Sequence, residues 1–135
     1  MANRITCVVV DCADHEKLAA FWSAVLGYEV VDRSEEGWVE IGPPGQQPKG
    51  PVPTLLFQTV PDPTPGKNRL HLDVNATDRD QDAELQRLLD LGATRADVGQ
   101  TGEESWHVLA DPEGNAFCLL RDRIDPLPTA REDPS

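Results

Sequence analysis

The chain alternates between two hydrophobic periods. Residues 5–12, ITCVVVDC, form an apolar run rich in β-branched side chains with no Gly or Pro, which predicts a buried strand. The period then lengthens. Leu18, Phe21, Trp22, Val25 and Leu26 recur at i, i+3, i+4, i+7 and i+8, the stripe of an amphipathic helix. Asp14 is placed to cap its start and Gly27 to end it as a C′ glycine. Strand patterns follow in YEVVDRS (28–34), GWVEIG (37–42) and PTLLFQTV (53–60), and the loop GPPGQQPKG (42–50) precedes the last of them.

After the proline-rich connector PDPTPGKN (61–68) the same order returns. RLHLDV (69–74) reads as a strand, and Thr77 or Asp78 can cap a helix with Leu85, Leu88 and Leu89 inward and Gly92 at its end. ATRADV (93–98), SWHVLA (105–110) and AFCLL (116–120) are further strands, the last two joined by the turn DPEGN. The halves match feature by feature: Leu26-Gly27 with Leu91-Gly92, Trp38 with Trp106, GPPG with DPEG. Each half is a βαβββ module that would expose one sheet face alone, so the two are expected to pair. The boundaries are module one at 1–60, linker 61–68 and module two at 69–123, together one domain over 1–123. Residues 124–135, with three prolines and few apolar side chains, read as a flexible tail.

Charge narrows the partners. The formal net charge is −12, from 24 acidic and 12 basic residues. Phosphate backbones and anionic membranes need a basic patch, so neither nucleic acid nor membrane is expected as partner. A negative field favours cationic ligands. The three cysteines cannot all pair; Cys7 and Cys12 share a strand and lie ~16 Å apart on opposite faces. Reduced thiols and an N-terminus without a long apolar run fit a cytoplasmic protein.

The segments ADHEKLAAFWSAVLGYEV, RLHLDV and WHVLADPEGNAFCLL resemble the vicinal oxygen chelate superfamily of glyoxalases, bleomycin-resistance proteins and extradiol dioxygenases. The resemblance spans residues 5–122 and is nearest to the glyoxalase-like branch common in actinobacteria. It implies an α+β fold in which the two modules form a cupped, partly open sheet around a ligand groove, and it implies a homodimer. Its metal-binding members take ligands from four positions. Three of these map here to Cys7, His71 and Cys118, and the fourth falls near Leu55 to Phe57, where no ligand type is available.

Alternation along each strand sorts core from groove. Val8, Val10 and Cys12 are expected in the core, with Cys7 on the groove side. Leu70, Leu72 and Val74 point inward, leaving His71 and Asp73 to the groove. Val39 and Ile41 are core, so Trp38 and Glu40 face the groove, and Trp106 and Val108 follow by the repeat. Phe117 and Leu119 are core, with Cys118 opposite; Phe57 or its neighbour Leu56 completes the groove.

The candidate ligand-binding residues are therefore Cys7, Trp38, Glu40, Phe57, His71, Asp73, Trp106 and Cys118, with His71 and Asp73 as the catalytic candidates. A carboxylate beside an imidazole can orient it as a general base. Two thiols and one imidazole can form a soft zinc site, but CxxC-type spacing is absent, so no metal or other cofactor is assigned. Paired tryptophans and acidic neighbours point to binding of a small aromatic or cationic molecule. The alternative is a metal-dependent lyase, isomerase or dioxygenase of the glyoxalase type.

Overall fold

The computed structural model describes residues 2–62, 70–96 and 105–128. The chain divides into two compact units, the second beginning near residue 65 and ending at Leu127. The first contains β1 (Cys7–Cys12), α1 (His15–Leu26), β2 (Glu29–Ser34), β3 (Trp38–Gly42) and β4 (Thr54–Thr59). Its sheet has the order β1-β4-β3-β2, with β1 parallel to β4 and the other pairs antiparallel.

Helix α1 begins where the Asp14 carboxylate accepts the Lys17 N–H at 3.1 Å. It stops at Gly27, whose φ of 69° is a left-handed conformation that glycine adopts without Cβ strain. Its stripe of Leu18, Ala19, Phe21, Trp22 and Val25 is buried, and α1 packs on β3 and β4. Val39 and Ile41 are fully buried there and Phe57 is 1% exposed. The register pairs Val39 with Phe57 and Ile41 with Leu55, so these four share the helix-covered face. Trp38, Glu40, Leu56 and Gln58 take the opposite face, joined on β1 by Cys7, Val9 and Asp11.

The second unit repeats the plan with β5 (Leu72–Val74), α2 (Gln81–Leu91), β6 (Thr94–Arg95), β7 (His107–Ala110) and β8 (Ala116–Leu119). Its sheet order, β5-β8-β7-β6 with β5 parallel to β8, is that of the first unit. Two helices and two open four-stranded mixed sheets make the fold α+β, built from tandem βαβββ modules. Leu109, Phe117 and Leu119 are fully buried, with Leu85 and Leu88 of α2 also buried.

Three details differ from the sequence expectations, the first being Val8, which is 37% exposed where a core position was expected. Helix α2 is capped by Asp80, which accepts the Ala83 N–H at 2.8 Å, and not by Thr77 or Asp78. The Asp78 carboxylate is instead bonded by both the Nε and one terminal nitrogen of Arg79. Leu70 is 86% exposed and lies outside β5, because pairing with β8 starts only at Leu72–Phe117 and nothing enforces alternation before it. Beyond β8, Asn75 Nδ2 donates to the Asp122 carbonyl at 2.8 Å and the Ile124 N–H donates to the Ala76 carbonyl at 3.0 Å. The expectations for residues 63–69, 97–104 and 129–135 lie outside the described residues.

Candidate functional site

Strand β8 alternates between two environments. Phe117 and Leu119 are buried in the core, and Cys118 between them points to the other face, half-buried. In the ladder Cys118 stands opposite Asp73 on β5 and opposite Val108 on β7. His71 Nε2 lies 3.0 Å from Asp73 Oδ1, with the two side chains 53% and 50% exposed. Same-face neighbours held in one strand stand ~7 Å apart. His71 precedes β5, so its backbone is not held by the ladder and its ring can turn onto Asp73.

Cys118 also bonds to this carboxylate. Burial pushes its thiol above the ordinary thiol range, and the charge of Asp73 and the hydrogen bond to it push in the same direction. Donor atoms of His71, Asp73 and Cys118 all lie within 4.8 Å of one another. Trp106, which is 42% exposed, stands one residue before β7, two residues along the chain from Val108, which pairs with Cys118.

The donor types suit a soft divalent ion. Imidazole nitrogen, carboxylate oxygen and thiolate sulfur all ligate zinc at roughly 2.0–2.3 Å, which draws donors in a tetrahedral shell to about 3.3–3.8 Å of one another. A separation of 4.8 Å or less needs only a small closure. Loading would release the Cys118 thiol proton and draw His71 and Asp73 out of their 3.0 Å contact, while a neutral imidazole binds through a lone pair without losing a proton. His71, Asp73 and Cys118 thus fit the group in chemistry, at the expense of the hydrogen bonds that now join them.

Internal repetition shows what the first unit holds at the equivalent positions. Trp38 opposite Gln58 corresponds to Trp106, and the two registers then equate Cys7 with His71, Val9 with Asp73, Leu56 with Cys118 and Glu40 with Val108. The first unit therefore has one thiol and two aliphatic side chains where the second has its donor cluster.

The remaining candidates fall out as follows. Phe57 is on the helix-covered face and fills the core, so Leu56 is the residue of that pair on the open side. Cys7 is half-buried opposite Thr54, and Trp38 is half-buried opposite Gln58. Glu40 is only 8% exposed and accepts the Thr54 hydroxyl at 2.6 Å, which makes it a buried acid and not a surface charge. The structure thus gathers His71, Asp73 and Cys118 within the second unit, whereas Cys7, Trp38 and Glu40 belong to the first. One residue of interest carries no sequence signal. Gln81, in the first turn of α2, donates to the Ser105 carbonyl at 2.8 Å and so fixes the chain beside Trp106.

A model of the glyoxalase-like domain family matches residues 7–120. The chain belongs to this family. No match was found among curated proteins. Among solved structures, this glyoxalase-like protein is similar to a glyoxalase/bleomycin resistance protein/dioxygenase family enzyme from Burkholderia phytofirmans, with a TM-score of 0.63 and 18% identity over 84% of this chain and 94% of that one. It is similar to the trypanothione-dependent glyoxalase I of Leishmania major, with a TM-score of 0.60 and 15% identity over 89% of this chain and 87% of that one. It is also similar to the fosfomycin resistance protein FosX of Listeria monocytogenes, solved with Mn(II) and a dihydroxypropylphosphonic acid, with a TM-score of 0.66 and 14% identity over 89% and 90% of the two chains. At such identities these likenesses carry the fold, and the function has to be argued from the site. No helix among the described residues is long and apolar enough to cross a membrane.

Proposed function

We propose that this glyoxalase-like protein binds a small, partly aromatic cation on the Cys118 face of its second sheet, and does so without a metal. The observation that carries the reading is the Asp73 carboxylate, half-exposed yet held by His71 at 3.0 Å and by the Cys118 thiol. A carboxylate fixed on both sides is a preorganised anion. Trp106, 42% exposed and one residue before β7, is the aromatic wall of this reading. The net charge of −12 adds a field that steers cations toward the protein.

The test is tryptophan fluorescence and thermal shift against a panel of aromatic cations and neutral isosteres. Cations should quench and stabilise, and Trp106→Ala together with Asp73→Ala should abolish both signals. A panel without any response would remove the reading.

A second reading is favoured by the gathering of N, O and S donors within 4.8 Å. His71, Asp73 and Cys118 would then hold a divalent ion, which polarises a substrate oxygen or lowers the pKa of bound water in a glyoxalase-type reaction. Metal analysis of protein purified without chelator separates the two. Stoichiometric metal that is lost in Cys118→Ala favours the enzyme. The homodimer implied by the family resemblance is tested by light scattering, where a monomer mass would refute it.

A further inference from the structure

Every hydrogen-bond donor in the cluster is already committed. Asp73 as a carboxylate can only accept, so the His71 Nε2 that faces it at 3.0 Å carries the hydrogen. The Cys118 thiol donates to the same carboxylate. In the neutral ring this leaves Nδ1 as a lone pair. Asp73 accepts two bonds and an ionised carboxylate has about four lone-pair sites, so it keeps acceptor capacity as well. With the ring neutral, the cluster therefore offers a ligand negative charge and acceptors and no donor.

Such a surface distinguishes between kinds of cation. A primary ammonium or an amidinium brings N–H groups that satisfy Nδ1 and the free lone pairs of Asp73. A quaternary ammonium brings the same charge but no N–H, and covers those acceptors without pairing them, which costs their lost hydration. An aromatic wall alone would not impose this preference, because cation–π attraction requires no N–H and serves quaternary ions well. We infer that the site selects aromatic cations bearing N–H groups over quaternary ammonium ions, with His71 as the selecting residue and Asp73 as the group that orients it. This rests on the proposed cation-binding role.

The experiment compares benzylamine with benzyltrimethylammonium by calorimetric titration of the full chain, wild type and His71→Ala. Benzylamine should bind the wild type about tenfold or more tightly than its quaternary counterpart, the ratio that one charge-assisted hydrogen bond supplies. In His71→Ala the ratio should fall, the remaining preference being carried by the lone pairs of Asp73. That ratio is internal to each protein, so it does not depend on the variant's stability. Equal affinity of the two ligands for the wild type would overturn the selectivity while leaving cation binding intact. A preference that survives unchanged in His71→Ala would remove His71 from the role. Binding of neither ligand would overturn the cation-binding reading and this inference with it.

Discussion

His71 Nε2 lies 3.0 Å from Asp73 Oδ1, and the carboxylate is shared with the thiol of Cys118. The contact exists because β5 is only three residues long: the ladder holds Asp73 opposite Cys118 and leaves His71 free to turn. A longer strand would have kept the two side chains apart.

The first prediction concerns that thiol. Asp73→Asn removes the charge that helps hold the Cys118 thiol in its protonated form, so the pKa should fall, though not fully, because burial is the larger cause. Alkylation of Cys118 by iodoacetamide near pH 8, followed by mass spectrometry, should be faster in the variant. The effect on stability has a definite sign. The folded chain holds this proton more tightly than the unfolded chain does. Its contribution is present below the ordinary thiol range and is lost as pH rises through the raised folded value. Asp73→Asn should therefore lessen the alkaline loss of stability, and an unchanged alkaline melting profile would count against the contact.

The second prediction separates two adjacent residues. Phe57 is 1% exposed among Val39, Ile41 and Leu55, so Phe57→Ala should cost about 3–5 kcal/mol in chemical denaturation. Leu56 is only half-buried on the opposite face, and Leu56→Ala should cost clearly less than Phe57→Ala. Equal losses would put the register in error.

Those two residues also show where sequence reasoning stops. Parity was legible where polar residues mark one face of a strand held in its ladder: Val39 and Ile41 flank Glu40, and all three fall as alternation requires. In Leu55-Leu56-Phe57 every side chain is apolar, so nothing local says which is inward, and only pairing with Val39 decides. Both helices, their closing glycines and the repeat were readable because each has a local cause. Leu70 was not, since the length of β5 is set by its partner β8. Nor was the His71–Asp73–Cys118 grouping, which lies within a single unit, whereas the expected set drew Cys7 from the other. Strand spacing argued against His71 meeting Asp73, and the contact depends on a strand end that no pattern in RLHLDV marks.

The start of α2 gives a third prediction. Asp80→Ala should destabilise by about 1 kcal/mol, since it leaves the Ala83 N–H without its acceptor. Thr77→Ala, at an exposed position outside the helix, should change stability by no more than about 0.5 kcal/mol. A larger loss at Thr77 would mean that the helix begins earlier.

A fourth prediction concerns Gln81, whose amide holds the Ser105 carbonyl at 2.8 Å. Gln81→Leu should cost about 1 kcal/mol for that bond. It should also raise acrylamide quenching of Trp106, read as the difference between proteins with and without Trp106→Phe. A loss of stability without any change at Trp106 would make Gln81 a structural tie only.

The most direct test of the central claim is a calorimetric titration of benzylamine into protein treated with EDTA and then freed of it, repeated after adding one equivalent of zinc. Metal-independent binding predicts a single site in the chelator-treated protein, lost in Asp73→Ala, and weakened by zinc because the ion and the ligand compete for Asp73 and His71. Binding that appears only after zinc is added would contradict the account and make the His71, Asp73 and Cys118 cluster a metal centre.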